Sequence, residues 1–365
     1  MTQHTSLFEP LSLRGLSLPN RIGLSPMCMY ACEPDGLATP WHLVHLGARA
    51  IGGAGLIVTE ATAVSPQARI SNADLGLWSQ AHADALRPIT AFIEAQGSVP
   101  GIQIAHAGRK GGTPRPWLGR KPLPRADGGW DVLAPSPLRF SDHSAAPLEM
   151  SERDIAQTST DFVRAATLAY DAGFRYLELH FGHGYLAHQF LSPLTNLRQD
   201  DSGGSFENRT RFVRDITAGV RAAWPDDLPL AVRLSMTDWR EDGWDLDDAV
   251  RLAADLRSLG VDLVICSSGA IVPGSHPPEG AGMQIPFARR VRAGAGIAAG
   301  AVGQITQAEQ AQDLIASGGA DLVFLGRAML RDPYWAIHAA EELGQPARWP
   351  TPYARAVGRR LVDAS

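Results

Sequence analysis

Eight short apolar segments, each followed by a segment of helical length, run through this chain of 365 residues. Turn-forming residues bound the apolar segments, and apolar residues recur at helical spacing between them, which is typical of repeated βαβ units. The predicted strands cover residues 21–27, 55–61, 99–106, 175–180, 230–235, 262–268, 296–302 and 321–326. Eight strand and helix pairs predict an α/β fold, the (β/α)8 TIM barrel. A doubly wound open sheet is the alternative, although no GxGxxG motif follows the first strand.

Two irregular segments are expected outside the barrel wall. Residues 8–20, FEPLSLRGLSLPN, predict a small N-terminal hairpin that caps the lower end of the barrel. Residues 107–150 are rich in Pro, Gly and Arg and have no helical period, so they predict a long excursion after strand 3. No linker divides the chain. Residues 1–365 are therefore expected to form one domain, in which residues 344–365 are a C-terminal tail.

Composition limits the classes of partner. With 33 basic and 38 acidic residues the formal net charge is −5, and no long basic run offers the positive surface that nucleic acid binding needs. The apolar runs are shorter than the roughly 18 residues of a membrane-spanning helix, and the N-terminus has no signal-peptide pattern. Three cysteines suit a reducing compartment and are too few for a four-cysteine iron–sulfur cluster. We expect a soluble, cytoplasmic protein that binds neither nucleic acid nor membrane.

The chemistry of a TIM barrel lies where its strands end and its βα loops begin, so the strand ends hold the candidate site. Polar and small residues are concentrated there: Pro26, Met27, Cys28, Tyr30, Glu60, Ala61, Gln103, His106, His180, His183, Tyr185, Arg233, Ser267, Ser268, Gly269, Gly300, Gly303, Gly326 and Arg327. The loops at 299–303 and 325–330, AGAVG and LGRAML, offer backbone N–H groups where barrels commonly bind phosphate, and Arg327 adds a positive charge. These glycines could instead only permit tight turns.

The stretch LELHFGHGYLAHQFLSP, residues 177–193, places His180, His183 and Tyr185 close together after the fourth strand. Three interpretations fit the two histidines: metal ligands, core residues bonded to backbone, or hydrogen-bond donors to a substrate. A zinc site needs three or four ligands and supporting hydrogen bonds behind them, and the other rim residues form no recognisable metal motif. We therefore predict no metal site and expect both rings to project into the barrel mouth.

Seven motifs, in order along nearly the whole chain, closely resemble those of the Old Yellow Enzyme family of FMN-dependent ene-reductases. They are SPMCMY at 25–30, the DGLATPWH run that follows it, IQIAHAGRK at 102–110, the run at 179–212, VRLS at 232–235, AGAVG at 299–303 and FLGRAMLRDP at 324–333. Cys28 and Tyr30 of the first motif resemble the paired cysteine and tyrosine of the bacterial thermophilic-like class of that family.

The resemblance implies a bound FMN that lies across the barrel mouth. The residues that would hold it are Ser25, Pro26, Met27, Cys28, Ala61, Gln103, Arg233, Gly300, Gly303, Gly326 and Arg327. Arg233 would face the N1 side, where a fixed cation stabilises the negative charge of reduced flavin. Alternatives are open for three of these residues. Gln103 could be a core amide and Cys28 an inert buried thiol, and Arg233 could form an ion pair with Glu60 or Glu178.

The same resemblance implies roles on the substrate side. His180 and His183 would donate hydrogen bonds to the carbonyl or nitro oxygen of an activated alkene, which stabilises the charge that develops as hydride arrives. Tyr185 would deliver the proton, although it could also only pack beside Leu186. Tyr30 would line the substrate pocket. NADPH, preferred over NADH, would give its hydride first and the alkene would take it second, which is a ping-pong scheme.

The C-terminal segment PTPYARAVGRRLVDAS, residues 350–365, holds three arginines and too few apolar residues to form another core element. Taken alone it is a solvated terminus. The resemblance implies a dimer or tetramer in which Tyr353 and Arg355 reach into a neighbour's active site, with Arg355 binding substrate there. Arg359 and Arg360 are competing candidates for that contact.

Two other classes of function stay open. A flavin-free barrel lyase would need a Schiff-base lysine or a metal ion at the rim, and the strand ends offer neither. A flavin-binding redox sensor would hold FMN without physiological turnover.

Overall fold

The computed structural model describes residues 5–119, 121–278 and 282–357. Its strands are β1 (Leu11–Leu13), β2 (Leu16–Leu18), β3 (Ile22–Leu24), β4 (Leu56–Ala63), β5 (Val99–Ala105), β6 (Leu133–Ala134), β7 (Leu148–Glu149), β8 (Tyr176–Phe181), β9 (Leu230–Ser235), β10 (Leu263–Ser267), β11 (Ala298–Val302) and β12 (Leu322–Leu325). Its α-helices are α1 (Pro40–Ile51), α2 (Gln80–Ala95), α3 (Glu152–Asp171), α4 (Leu186–Leu191), α5 (Phe206–Ala223), α6 (Leu246–Ser258), α7 (Ile285–Ala295), α8 (Ala308–Ala316), α9 (Arg327–Arg331), α10 (Trp335–Glu342) and α11 (Ala354–Val357).

Eight of these strands close into a parallel barrel, in the order β3, β4, β5, β8, β9, β10, β11 and β12, with β12 paired back onto β3. Each corresponds to a predicted strand, so the (β/α)8 prediction is confirmed and the open-sheet alternative is wrong. The strands are apolar on both faces because one face fills the barrel and the other packs under helices. All eight residues of β4, for example, are buried. The first strand is shorter than predicted, since the chain leaves the sheet after Leu24.

The helices that cover the barrel begin at residues suited to that position. Ser151 accepts a hydrogen bond from the Asp154 N–H, and the Asp154 carboxylate accepts one from the Ser151 N–H, which is a capping box at the start of α3. Asp245 accepts from the Asp248 N–H in the same way at the start of α6. Within the described ranges, no helix is both long and apolar enough to cross a membrane.

The predicted N-terminal hairpin is present and closes one end of the barrel. β1 and β2 pair antiparallel, with Leu11 opposite Leu18. Leu11, Leu13 and Leu18 are buried in one apolar cluster with Leu56 of β4 and Leu322 of β12. Burying these side chains removes the apolar strand starts from water, so the hairpin stabilises the end opposite the strand carboxyl termini.

Phe324 fills the interior of the barrel above that hairpin. Its ring lies between the α-carbons of Gly23 on β3 and Gly300 on β11, and a Cβ built on either glycine would lie 2.9 or 3.0 Å from the ring. The contact at Gly23 is closer than Cβ atoms approach other carbons, and the one at Gly300 would force the ring to shift, so the ring packs best with glycine on both sides. The glycine at 300 thus has a packing reason that is separate from any contact with a phosphate.

The predicted excursion at 107–150 lies over the rim. It contains single-turn 3₁₀ helices and the two-residue strands β6 and β7, which pair in parallel, an arrangement that its Pro and Gly content did not predict. Arg109 anchors it, because the buried guanidinium donates to the carbonyls of Leu138 in the excursion and Ile271 after β10. Trp130 stacks on the Arg69 guanidinium, 4.9 Å from ring centroid to carbon.

Candidate active site

A pocket of about 240 Å³ opens at the carboxyl ends of the barrel strands. Nine residues line it: Pro26, Cys28, Tyr30, Ala61, Gln103, His180, His183, Tyr185 and Arg233. All nine were candidates from their strand-end positions. The structure therefore brings together residues as far apart in the sequence as Pro26 and Arg233, because the ends of parallel barrel strands meet at one face.

His180, His183 and Tyr185 form a compact group on one side of this pocket. The ring centroids of the two histidines are 5.0 Å apart and edge-on, and those of His180 and Tyr185 are 5.1 Å apart. His180 is the penultimate residue of β8, and Tyr185 is the N-cap of α4. His183 adopts a left-handed backbone with φ +57°, held by a hydrogen bond from its N–H to the Ser235 hydroxyl at 2.9 Å.

Both histidines are neutral. Burial lowers the pKa of each ring well below its ordinary value, and the Arg233 charge lowers it further. The Gly182 N–H donates to Nδ1 of His180 at 3.3 Å, so the proton of that ring is on Nε2. Nε2 of His183 lies 2.6 Å from the Ser267 hydroxyl. Each neutral ring carries one N–H, and His183 can donate from Nδ1 when its Nε2 accepts from the Ser267 hydroxyl.

Tyr185 is a protonated phenol at neutral pH. Burial raises its pKa well above the ordinary value, and the acidic groups Cys28, Tyr30 and Asp74 raise it further. The Lys110 ammonium lies 5.1 Å from the centroid of its ring. Lys110 also donates to the His183 carbonyl at 2.8 Å, and burial lowers its pKa to about 8. Lys110 was not a candidate, although it ends the IQIAHAGRK motif.

Arg233 lines the same pocket from β9. It donates from Nη1 to the Ser25 hydroxyl at 3.0 Å, and its buried Nε has no hydrogen-bond partner among the described residues. Burial lowers its pKa, while Glu178 opposes that shift. The ion pairs proposed as alternatives are not formed, since Glu60 pairs with His42 and Glu178 binds Gln103. A buried cation with an unused donor matches the anionic N1 side of a reduced flavin.

Gln103 is fixed by a buried polar chain in the barrel. Its Nε2 donates to Glu178 Oε1 at 2.5 Å, and the Tyr176 hydroxyl donates to Oε2 at 3.2 Å. Burial raises the pKa of Glu178, opposed first by Arg233. The alternative of a core amide bonded to backbone is therefore wrong for the amide nitrogen, which binds a carboxylate while the side chain lines the pocket.

Cys28 and Tyr30 lie on the loop after β3, which a buried pair behind it holds in place. The Met29 N–H between them donates to Glu60 Oε2 at 2.9 Å, and Glu60 Oε1 lies 3.2 Å from His42 Nε2. Tyr30 has a left-handed backbone with φ +54°. Burial raises the pKa of the Cys28 thiol well above its ordinary value, so it is protonated and can donate. Neither the supporting role of Glu60 nor that of His42 was predicted.

The candidate phosphate residues lie on the loops after β11 and β12. Gly303 has φ +114° and lies against the Gln284 side chain. Gly326 is the N-cap of α9 and its α-carbon faces Met27 and Ser25 of the first loop. Arg327 is exposed. Gly303 thus needs its conformational freedom, while Gly326 lies beside two other predicted cofactor residues.

The C-terminal candidates lie away from this pocket in their own subunit. Arg355 is exposed on α11 and is not among the lining residues. The Tyr353 hydroxyl lies 3.3 Å from that of Tyr334, and their rings stack. Arg359 and Arg360 lie outside the described residues. Within the described part of the chain, no three His, Cys, Asp or Glu side chains are grouped closely enough to hold a metal ion.

Known proteins are similar to this chain in sequence and in fold. The model of the NADH:flavin oxidoreductase / NADH oxidase family, whose members are FMN oxidoreductases, matches residues 6–345. An NADPH dehydrogenase of Geobacillus sp. (strain WCH70) is 46% identical over 344 residues, 93% of this chain and 95% of that protein. Morphinone reductase superposes with a TM-score of 0.78 at 27% identity, covering 96% of this chain and 93% of that one. The old yellow enzyme homologue of Zymomonas mobilis gives 0.77 at 25%, covering 94% of each chain.

The fold and these matches identify the protein as a TIM-barrel oxidoreductase that depends on a flavin. The chain belongs to the NADH:flavin oxidoreductase / NADH oxidase family, and the resemblance to Old Yellow Enzyme is confirmed. It is an enzyme with FMN as its cofactor. The flavin-free lyase is therefore wrong.

Proposed function

We propose that this enzyme reduces the C=C bond of α,β-unsaturated carbonyl or nitro compounds, with NADPH as hydride donor. The observation that carries the proposal is the group of two neutral histidines and one protonated tyrosine in a single pocket. An enone or nitroalkene needs two things besides hydride: stabilisation of the negative charge on its oxygen, and a proton for the second carbon. The histidines can supply the first and the tyrosine the second. The NADPH dehydrogenase names of the relatives support the choice of NADPH.

We expect FMN to bind in this pocket against Arg233 and Gln103. The chemistry that bound FMN would supply is the transfer of hydride from NADPH to the alkene. Arg233 would hold the N1 side with its unused Nε donor, and Gln103 the polar edge, beside Ala61. The other residues proposed to hold it are Ser25, Pro26, Met27 and Cys28 along the ring and Gly300, Gly303, Gly326 and Arg327 at the phosphate.

His180 and His183 would bind the substrate oxygen. The Nε2–H of His180 is available, and His183 would donate from Nδ1, with its Nε2 accepting from the Ser267 hydroxyl. The two rings are edge-on with centroids 5.0 Å apart, which would let both N–H groups converge on one acceptor. Such donors, fixed in a pocket that excludes water, stabilise developing charge far more than water does. Tyr30 would line the same side, since it also lies at the pocket wall.

Tyr185 would give its proton to the carbon next to the activating group. A raised pKa keeps the phenol protonated, and the Lys110 ammonium near its ring would stabilise the phenolate left after transfer. NADPH and the alkene would bind in turn at the one mouth. We therefore expect ping-pong kinetics.

We also propose self-association as a dimer or tetramer that brings Arg355 of one subunit to a neighbour's pocket. Arg355 is exposed and free to make such a contact. Trp41 and Val44 on α1 expose 56% and 69% of their surface. Neighbouring exposed apolar side chains are typical of protein contacts.

The test uses the purified holoenzyme without oxygen. NADPH should bleach the flavin absorbance, and cyclohexenone added afterwards should restore it in stoichiometric amount. Bleaching by NADPH without recolouring by any enone or nitroalkene would contradict the proposal and favour the redox sensor.

A further inference from the structure

Gly184 separates the two residues on which the chemistry depends, His183 and Tyr185. Its backbone has φ +72°, and a Cβ built on it would lie 2.1 Å from the Ala270 carbonyl oxygen. Only glycine fits there. Because the histidine and the tyrosine leave the chain on either side of this one residue, the position of its two peptide groups determines where both side chains point.

Side chains of α4, rather than a strand or helix ladder, bind those two peptide groups. The Gly184 N–H donates to His188 Nδ1 at 2.9 Å. The Gly184 carbonyl accepts from Gln189 Nε2 at 2.8 Å. Both side chains are fully buried and neither lines the pocket. A hydrogen bond in such surroundings is not exchanged for one to water, so it holds geometry firmly.

His188 is itself held from behind. Its Nδ1 accepts the hydrogen bond from the Gly184 N–H, so the proton of the ring is on Nε2. That nitrogen lies 2.9 Å from Asp238 Oδ1. The other oxygen of Asp238 accepts from the Ser192 hydroxyl at 2.6 Å and from the Trp244 N–H at 2.8 Å. Burial would raise the pKa of Asp238, but His188 and the hydrogen bonds lower it, so the group is a carboxylate.

We propose that His188, oriented by Asp238, is a positioning residue that sets the relative placement of His183 and Tyr185 through the Gly184 N–H. It touches neither substrate nor the pocket and acts only through the backbone between the two residues. The inference rests on the proposed function, because it assumes that His183 binds the substrate oxygen and that Tyr185 gives the proton. Substitutions at His188 should therefore slow alkene reduction in a different order from the one in which they lower the melting temperature.

Two substitutions separate the two nitrogens of His188. In His188→Asn the amide oxygen takes the place of Nδ1 and can still accept from Gly184, but nothing reaches Asp238. In His188→Gln the amide nitrogen takes the place of Nε2 and can still donate to Asp238, but Gly184 loses its acceptor. The asparagine variant leaves a buried carboxylate without its partner, so it should have the lower melting temperature.

The kinetic order should be the reverse. His188→Gln should slow flavin reoxidation by cyclohexenone at least about tenfold, since small misplacements of catalytic groups cost up to about a hundredfold. It should also weaken phenol binding, because His183 shifts with Gly184. His188→Asn should stay within about threefold of wild type in both measurements. Flavin content and reduction by NADPH should be normal in both. If the asparagine variant is slower, or both slow equally, His188 serves stability only and the inference is wrong.

A measurement on the wild-type holoenzyme covers the case in which a variant does not fold. Nitrogen-15 NMR of histidine-labelled protein should show His188 as the Nε2–H tautomer with a hydrogen-bonded Nδ1, and an Nδ1–H tautomer would overturn the inference. Tyr185→Phe distinguishes the two levels of failure. If that variant reduces cyclohexenone at the wild-type rate, the proposed function itself is wrong. If it is slow while His188→Gln is not, only the positioning role is refuted.

Discussion

Tyr185 has a hydroxyl whose chemistry can be removed while its packing stays. We expect Tyr185→Phe to leave flavin reduction by NADPH within about twofold, since no acid is needed in that step. Where solvent does not supply the proton, alkene reduction should slow by at least about a hundredfold. That factor is the lower end of the range for the loss of a general acid. Stopped-flow absorbance follows the two half-reactions separately. Equal slowing of both half-reactions would show that the hydroxyl does not act as the proton donor of the alkene step.

His180 and His183 differ from the tyrosine because they act on substrate binding as well as on rate. Replacing either by Ala should weaken a phenol, which mimics the enolate oxygen, and diminish its long-wavelength charge-transfer band over the flavin. In alkene reduction each loss should cost roughly 2 to 4 kcal/mol. His143 is exposed in the excursion, so His143→Ala is the matched control. A response of activity to added zinc or a chelator would favour metal ligation instead.

At the scale of elements, the turn after β5 predicts a pH dependence of stability. His106 is buried, its Nδ1 accepts from the Gly108 N–H at 3.0 Å, and burial lowers its pKa to about 4. The unfolded chain has the higher pKa, so it binds the proton first as pH falls from 6.5 towards 4. The free energy of unfolding therefore falls by about 1.4 kcal/mol per pH unit as the pH drops through this window.

Asparagine at position 106 keeps an acceptor for Gly108 but does not titrate. Chemical denaturation at several pH values should show a shallower slope for His106→Asn than for wild type between pH 6.5 and about 4.5. Above the window the two free energies of unfolding should run parallel. Identical slopes throughout would mean that folding does not lower the pKa of His106.

The elements themselves were the most predictable part of this molecule. Each barrel strand is a local apolar run. Strand-end position gave nineteen candidates that include all nine pocket residues, because parallel strands in a barrel all point one way. The supporting residues were not predictable in this manner. His188 and Asp238, fifty positions apart, are in contact at 2.9 Å, and His183 and Ser267, 84 positions apart, are in contact at 2.6 Å. No local pattern encodes such partners, since they depend on how two loops fold over one another.

At the scale of the whole molecule, the proposed shared site makes activity depend on assembly. Arg355→Ala should raise KM for enones several-fold while flavin content and melting temperature stay normal, because the exposed side chain contributes nothing to its own subunit's core. Mixing this variant with Tyr185→Phe should restore part of the activity. Some sites in a mixed dimer would then combine an intact tyrosine with an intact incoming arginine.

The measurement is cyclohexenone turnover before and after verified subunit exchange. A chain truncated after Pro350 serves as the control for the whole tail, and Arg331→Ala, a change at an exposed arginine of α9, serves for the loss of charge. Full activity of the truncated chain together with no complementation would rule out the shared site.

Phe324 packs between Gly23 and Gly300, so the substitutions that each of these three positions accepts depend on the other two. An alanine at either glycine would bring a methyl group within 2.9 or 3.0 Å of the ring, so neither glycine can change first without overpacking. Loss of the ring opens the space that an alanine then fills, and the two substitutions are not additive. Descendants of this chain can therefore alter the trio in one order only, with the phenylalanine leaving before either glycine. Once an alanine has followed, a return to phenylalanine requires that the alanine first revert to glycine.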